Sequence, residues 1–191
     1  MACNNKLTSD ILQSCDDLPK KGLANNKAVI VNVSDVDWSS TTSSGATVTS
    51  LTLKSGNTGY KLEDFKDLAS TNSSFAPNAE DVDGFTHSWL SRILTTKAED
   101  AESANQLKNG RFIMVVETNY GRGTTNSYKV YGFENGLKLA EMTNGSKDNS
   151  GAILYTLTSE EGTVEQYPFM ILNEGDYATT TASYEALFAE V

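Results

Sequence analysis

The sequence has few of the residues from which enzyme active sites and metal sites are usually built. It contains one histidine, His87, and two cysteines, Cys3 and Cys15. A zinc site needs several nitrogen or sulfur ligands, and a serine triad needs a histidine beside a nucleophile and a carboxylate. Neither can be assembled from a single histidine with no cysteine near it. Two cysteines so close together also do not make a disulfide scaffold, which favours free thiols in a reducing cytoplasm.

Basic runs and long apolar runs are scarce as well. The formal net charge is −10, and no run of lysine and arginine is longer than Lys20-Lys21. Proteins that wrap nucleic acid present a basic patch to the phosphates, so the composition argues against that function. No apolar stretch approaches the roughly eighteen residues that span a bilayer, and none precedes Cys3. We therefore expect neither a membrane span nor a signal peptide.

The sequence does contain short runs rich in β-branched and aromatic residues, separated by glycine, asparagine and serine. Such runs are typical of strands. The Asn135-Gly136 pair favours a type I′ hairpin, because that turn needs positive φ at both central residues. We predict an antiparallel meander of about five strands as the core. Its strands are 112–116, 128–133, 137–142, 152–158 and 166–172.

Three further strands are predicted before this meander. Lys27 to Val33 is apolar on both faces, whereas Thr47 to Leu53 and Phe85 to Leu94 alternate apolar and polar residues. The polar segment from Ala69 to Gly84 has no such pattern and is predicted to be a long irregular loop. We interpret the chain as one domain. Its parts are an N-terminal arm (1–26), a β core (27–172) and a C-terminal tail (173–191).

One convincing helix is predicted, from Thr96 to Asn109. The segment Thr96-Lys97-Ala98-Glu99 fits a capping box, in which the threonine hydroxyl and the glutamate carboxylate bond to each other's backbone. Gly110 is expected to supply the C-terminal cap. A thin apolar stripe of Ala98, Ala101 and Leu107 places the helix on the flank of the sheet.

Two shorter helical segments are expected near the ends of the chain. Leu7 to Asp17 has Ile11, Leu12 and Cys15 on one face, and Pro19 ends it. The segment from Ala182 to Glu190 carries the aromatic residues Tyr184 and Phe188. Exposed aromatics at a terminus usually dock against another surface.

Two loops carry candidate binding residues. Asp35 and Asp37 lie near Trp38, a set that could bind a cation or a sugar, although a plain polar loop is favoured. Gly121-Arg122-Gly123 lacks the spacing and the strand–turn–helix context of a nucleotide loop. We interpret it as a flexible hairpin end whose arginine reaches a carboxylate of a partner.

Two other motifs are set aside. The segment from Asp81 to Gly84 resembles the middle of a calcium loop, but it puts Ala79 and Leu90 where ligand oxygens are required. His87 alternates with apolar neighbours in a predicted strand, which favours a histidine satisfied within the core. No metal site, cofactor site or catalytic constellation is predicted, so function is expected to reside in surfaces.

The region from Phe85 to Leu172 resembles the tail-tube fold of tailed bacteriophages. The order strand, helix, strand and long antiparallel meander carries this resemblance, above all in 133–142, 150–157 and the Tyr167-Pro168 strand. The Asn-rich opening is similar in style to virion proteins of phages of gut Bacteroidota, the crAss-like group among them. The resemblance implies a mainly β (α+β) fold, an antiparallel β-sandwich or barrel with one flanking α-helix and long polar loops.

The resemblance also implies a virion structural subunit, made in the host cytoplasm, that is not an enzyme. Copies would join edge to edge into rings or a tube of a tail or head–tail connector, together with other virion proteins. DNA would pass through the channel as non-specific cargo, with no membrane and no small-molecule substrate involved. The alternative is a carbohydrate- or protein-binding β-domain of a fibre or adhesin. Predicted interface residues are Asp35, Asp37, Trp38, Gly121, Arg122, Tyr184 and Phe188.

Overall fold

The computed structural model describes residues 7, 9–12, 20, 22–63, 68–77 and 82–188, and all structural statements below concern these residues. They form eleven strands in one sheet. The strands are β1 (Leu23–Asn32), β2 (Thr42–Ser44), β3 (Thr47–Ser50), β4 (Tyr60–Glu63), β5 (Ser70–Ala76), β6 (Gly84–Ile93), β7 (Phe112–Thr118), β8 (Tyr128–Tyr131), β9 (Leu137–Asn144), β10 (Ile153–Ser159) and β11 (Met170–Leu172).

The predicted class, mainly β with helices, is confirmed. The sheet is open and its strands are mostly antiparallel, but it is mixed because β11 runs parallel to β3. Two helices accompany it, α1 (Ala98–Gln106) and α2 (Tyr177–Ala186), so the expectation of a single flanking helix is wrong. The arrangement is sandwich-like, and the sheet does not close into a barrel.

Strands β1 and β7 form the centre of the fold. They pair antiparallel, with Val29 opposite Val115 and Ile30 opposite Met114. Successive side chains on a strand point to opposite faces, and both faces of these strands are covered. Val29 and Val115 belong to one apolar cluster, while Ile30 and Met114 belong to the other. The prediction that 27–33 is a strand buried on both sides is confirmed.

All five strands of the predicted meander are present, but their order in the sheet is different. β8 pairs with β7 at 114–117 and β9 pairs with it at Phe112, both on the side opposite β1. Residues 132–136 therefore form a turn between two strands that do not pair with each other, after which β9 leaves β7 to pair with β10. Gly132 and Gly136 have positive φ, whereas Asn135 does not, so the predicted type I′ hairpin is wrong. β11 pairs with β8 and β3 rather than with β10.

The predicted loop from Ala69 to Gly84 is also wrong, because most of its first half is strand β5. β5 pairs antiparallel with β6 along its whole length, from Ser70 opposite Leu90 to Ala76 opposite Gly84. Most of its side chains are exposed or half-buried. Hydrophobic alternation, the pattern from which strands are predicted, is absent when neither face is fully buried. Residues 78–81, including Asp81 of the rejected calcium motif, lie outside the described residues.

Helix α1 is shorter than predicted and capped differently. The carboxylate of Asp100 accepts the backbone N–H of Lys97 at 3.0 Å, so the capping acid is one residue later than expected. Gly110 has φ −76° and is extended, so it is not a left-handed cap. Ala104 is the buried residue of α1, while Ala98 and Ala101 are exposed. The predicted apolar stripe is therefore wrong, except that Leu107 packs partly against the core.

The predicted N-terminal helix falls mostly on residues that are not described. Of its expected span, 7 and 9–12 are described and are not helical, and Ile11 and Leu12 are exposed. Cys15 and Pro19 lie outside the described residues. The two strands predicted at 47–53 and 85–94 are confirmed as β3, which is shorter, and β6.

Candidate functional site

The loop with Asp35, Asp37 and Trp38 uses its carboxylates internally. Asp37 accepts hydrogen bonds from the Ser39 hydroxyl at 2.6 Å and the Ser40 hydroxyl at 2.8 Å. These bonds, the Ser39 hydroxyl first, hold the pKa of Asp37 below its ordinary value. Asp35 accepts from the Asn32 side-chain amide at 2.8 Å. The geometry is that of a plain polar loop.

Trp38 stands out from this loop as an exposed aromatic side chain. It is 46% exposed, and its ring meets the Phe133 ring edge to face, with 5.6 Å between centroids. Phe133 is itself buried in the core. One side of the indole is thus fixed against the protein, and the other is available to a partner or a ligand.

The Gly121–Gly123 turn does join β7 to β8 as a hairpin end, as predicted. Its backbone is tied down, because the Ser127 hydroxyl donates to the Gly121 carbonyl at 2.6 Å. Gly121 and Gly123 both have positive φ, which glycine adopts without strain. Arg122 Nε lies 4.0 Å from Glu117 Oε1 of the same chain. The expectation that Arg122 reaches a partner's carboxylate is therefore not supported by its position.

The C-terminal aromatics pack inside this chain. Helix α2 begins five residues before the predicted segment, where the Asp176 carboxylate accepts the Thr179 N–H at 2.9 Å. Tyr184 is 7% exposed, and its ring centroid is 4.7 Å from that of Tyr128. Phe188 packs partly buried against the same cluster. The segment is helical and docks against another surface, as expected, and that surface is the sheet of the same chain, which covers Tyr184 and Phe188.

The tyrosine cluster beneath α2 has little water around it. Burial raises the pKa of Tyr128 to about 12 and also raises that of Tyr184. The Tyr128 hydroxyl donates to the Thr181 hydroxyl at 3.0 Å, which anchors the helix to β8. The C-terminal segment is therefore part of the core rather than a tail.

His87 is satisfied within the core, as predicted. It is 2% exposed. Its Nδ1 accepts the backbone N–H of Gly132 at 3.0 Å, and its Nε2 lies 3.0 Å from the Tyr167 carbonyl. Because Nδ1 accepts, Nε2 carries the proton and donates it to that carbonyl. Burial lowers the pKa of His87, which keeps the ring neutral.

A buried carboxylate that the sequence did not reveal lies nearby. Glu165 is 2% exposed and accepts the backbone N–H groups of Glu134 and Asn135, each at 2.9 Å. Burial raises the pKa of Glu165, and the hydrogen bonds that it accepts oppose that shift. It holds the turn between β8 and β9. No pattern in the sequence separates this glutamate from the many that are exposed.

No group of three or more histidine, cysteine, aspartate or glutamate side chains that could hold a metal ion occurs in the described part of the chain. None of the helices described is long and apolar enough to cross a membrane.

Strand β5 is the border with the longest unpaired edge. It lies at one end of the strand order and pairs only with β6 among the described residues. Phe85 of β6 exchanges both backbone hydrogen bonds with Glu165, at 2.9 and 2.8 Å. The backbone N–H and C=O groups of successive residues in a strand point to opposite sides. The backbone groups of odd-numbered residues of β6 therefore point towards β10, and those of even-numbered residues point towards β5.

The same alternation determines which backbone N–H and C=O groups of β5 point towards β6. Ser70, Asn72, Ser74 and Ala76 lie opposite even residues of β6 and bond to them. The N–H and C=O groups of the other residues of β5 point away from the sheet. These residues, Thr71, Ser73 and Phe75, form what we call the free edge.

The free edge carries no charge of its own. β5 reads Ser-Thr-Asn-Ser-Ser-Phe-Ala, without lysine, acid or proline. Phe75, at its end, is 60% exposed although its ring meets that of Phe85. Lysine, proline and bulges are the devices that usually protect an edge from pairing.

The two other borders of the sheet are protected. β4 pairs only with β1 and carries Lys61 and Glu63, which form an ion pair at 2.7 Å. β2 has three residues, too few to offer a long ladder. β5 is thus the border that most resembles an assembly surface.

In comparisons with protein-family models, curated proteins and solved structures, nothing matches this chain.

Proposed function

We propose that this chain is a structural subunit of a phage virion that assembles with copies of itself into a ring or tube of a tail or a head–tail connector. The observation that carries this proposal is the free edge of β5. Its N–H and C=O groups can continue a sheet into another copy, which would satisfy them and remove a site of uncontrolled aggregation. The resemblance of 85–172 to tail-tube proteins supports the same function.

The charge balance is compatible with a channel for DNA. The chain carries 25 acidic and 15 basic residues. An excess of acid that faces a bore repels the phosphate backbone, so DNA can pass without adhering to the wall. Nucleic acid would in that case be transported without being recognised.

The proposal is tested by closing the free edge of β5 without unfolding the strand. Ser73→Pro removes an N–H that points away from β6, so it leaves the β5–β6 hydrogen bonds in place. Ser73→Ala is the matched control, because it keeps that N–H. The Ser73 hydroxyl is buried, and no hydrogen-bond partner for it occurs among the described residues, so losing it has little cost.

Light scattering after size exclusion, with negative-stain microscopy, gives the readout. We expect rings or tubes for the wild type and for Ser73→Ala, and monomers for Ser73→Pro. A wild-type protein that stays monomeric at high concentration would overturn the assembly function. If Ser73→Pro assembles as readily as Ser73→Ala, the protein still assembles, but the edge of β5 is excluded as the contact between copies.

A second function, a carbohydrate- or protein-binding β-domain, is favoured by the exposure of Trp38. An aromatic ring fixed on one side by Phe133 and open on the other is a suitable stacking surface for a sugar. The internal bonds of Asp35 and Asp37 reduce the polar groups available around it. Binding on a glycan array by the wild type that Trp38→Ala abolishes would support this alternative.

A further inference from the structure

A half-open cavity of about 500 Å³ lies beside strand β5. Four parts of the fold line it: the segment that leads into β1, the start of β5, the end of β7 and strand β8. Among the described residues, its lining contains two lysines, Lys20 and Lys129, and no acidic residue. Several hydroxyl groups complete it, those of Ser70, Thr71 and Tyr131 among them. The composition of the walls is therefore basic and rich in donors, in a chain that is acidic overall.

Lys129 has no counter-charge among the described residues. Its Nζ lies 4.0 Å from the centroid of the Phe169 ring, and none of the ion pairs among the described residues includes it. Burial lowers its pKa, and no carboxylate offsets that effect. A cation that is removed from water without an anion lowers the stability of the folded state. The ring of Phe169 compensates only in part.

Tyr131 adds a second unused donor. Its oxygen accepts the Thr71 hydroxyl at 3.1 Å, so its own hydrogen points elsewhere. The described residues offer that hydrogen no acceptor. The side chain is 5% exposed, and the cavity is the open space that borders it. Lys129 and Tyr131 are two residues apart on β8, so their side chains lie on the same face of the strand.

We propose that this cavity binds a carboxylate group, with Lys129 Nζ supplying the charge and the Tyr131 hydroxyl supplying a second hydrogen bond. Two donors match the two oxygens of a carboxylate. A phosphate group offers more oxygens, and proteins usually meet them with backbone N–H groups or a planar guanidinium. The part of the lining that the structure describes contains no arginine. The carboxylate can come from a free organic acid or from an acidic side chain of a second copy. The site does not depend on the proposed assembly function.

The test follows the ring resonances of Phe169 by NMR while acetate is added to dilute protein. We expect a saturable shift in the wild type, weakened at least roughly tenfold by Lys129→Met and less strongly by Tyr131→Phe. Lys61→Met is the matched control, because Lys61 is also a strand lysine but pairs with Glu63. It should bind acetate like the wild type. Unfolding in urea checks the fold, and Lys129→Met should be at least as stable as the wild type without ligand.

A second arm identifies the source of the carboxylate. If an acidic side chain of another copy enters the cavity, the same resonances shift as the protein concentration rises, and Lys129→Met abolishes that shift. A response to acetate alone assigns the site to a free organic acid. The absence of a saturable shift in the wild type, an equal response in Lys129→Met, or tighter binding of inorganic phosphate than of acetate would each overturn the proposal.

Discussion

The carboxylate of Glu165 accepts the backbone N–H of Asn135 through Oε1 and that of Glu134 through Oε2, both at 2.9 Å. These two bonds stabilise the turn that connects β8 to β9 beside β7. The Asn135 side-chain amide donates in return to the Val164 carbonyl at 2.8 Å. The turn and the segment before Glu165 therefore hold each other, although about thirty residues separate them in sequence.

Glu165→Gln should destabilise the fold by about 1–3 kcal/mol. Glutamine keeps one acceptor oxygen, but its amide group would face a backbone N–H, so one donor of the turn would lose its partner. Urea unfolding measures the change. Glu161→Gln, at an exposed position in the same loop, is the control and should be neutral. Equal stability of the two variants would contradict the role of Glu165 in holding the turn.

His87 should make stability depend on pH in the mildly acidic range. Its pKa is lowered from the ordinary value of 6.5, so the unfolded chain binds a proton in a range where the folded chain does not. Its contribution is complete above pH 6.5, and it is lost as pH falls towards the folded pKa. His87→Gln should be less stable at neutral pH and should show a shallower acid slope.

The effect of His87 must be taken from the difference between the stability–pH curves of the wild type and His87→Gln. The nearby acid Glu165 changes stability with pH in the opposite direction. The pKa of Glu165 is raised from 4.5, so its contribution is greatest below that pH and declines as pH rises through the folded pKa. Subtracting the curve of His87→Gln from that of the wild type isolates the histidine. A difference that does not change between pH 5 and 7, roughly the range in which histidine titrates, would contradict the neutral buried ring.

Tyr184→Ala should destabilise the protein by about 3–5 kcal/mol, as truncation of a large buried aromatic usually does. The ring lies in the core beneath α2, in contact with Tyr128. Phe188→Ala, at a partly buried position four residues later, should cost clearly less. Thermal or urea unfolding tests both. A neutral Tyr184→Ala would mean that α2 is not part of the folded core.

Gly84→Ala should destabilise the start of β6 by about 1–3 kcal/mol through steric overlap. A Cβ at this position would lie 2.6 Å from the Cβ of Val164 and 2.8 Å from the Glu165 carbonyl oxygen. Gly145→Ala is the control, because its nearest neighbour would be 3.7 Å away and its φ is not positive. If Gly84→Ala and Gly145→Ala unfold at the same urea concentration, the close packing of β6 on Val164 is contradicted.

The strands with a buried face could be predicted from the sequence, and their order could not. The strands at Val29 to Val31 and Phe112 to Val116 can be recognised in the sequence, because a strand that is buried on both faces is a continuous apolar run. Pairing is decided by contacts between distant segments, such as Leu172 with Val48. The Asn135-Gly136 pair illustrates the difference, since a strong local hairpin signal is overridden by the turn that Glu165 holds in place, after which β9 pairs with β10 and not with β8.

The candidate sites were the least predictable part of the molecule. Strand β5 has no apolar alternation, so its free edge is visible only from its pairing with β6. Lys129 looks like any surface lysine in the sequence, and its isolation depends on what the fold puts around it. Trp38 was found because an aromatic residue in a polar loop is conspicuous. Tyr184 and Phe188 were found for the same reason, but the sheet covers them.

The place of β11 has a consequence for how the chain can be made. This strand of three residues near the C-terminus sits between β3 and β8. β1 likewise cannot pair with its second neighbour until β7 has been synthesised, some eighty residues later. The sheet therefore cannot be completed until β11 has left the ribosome. Folding should be slow and largely post-translational, and the nascent chain will depend on its many polar residues to stay in solution until then.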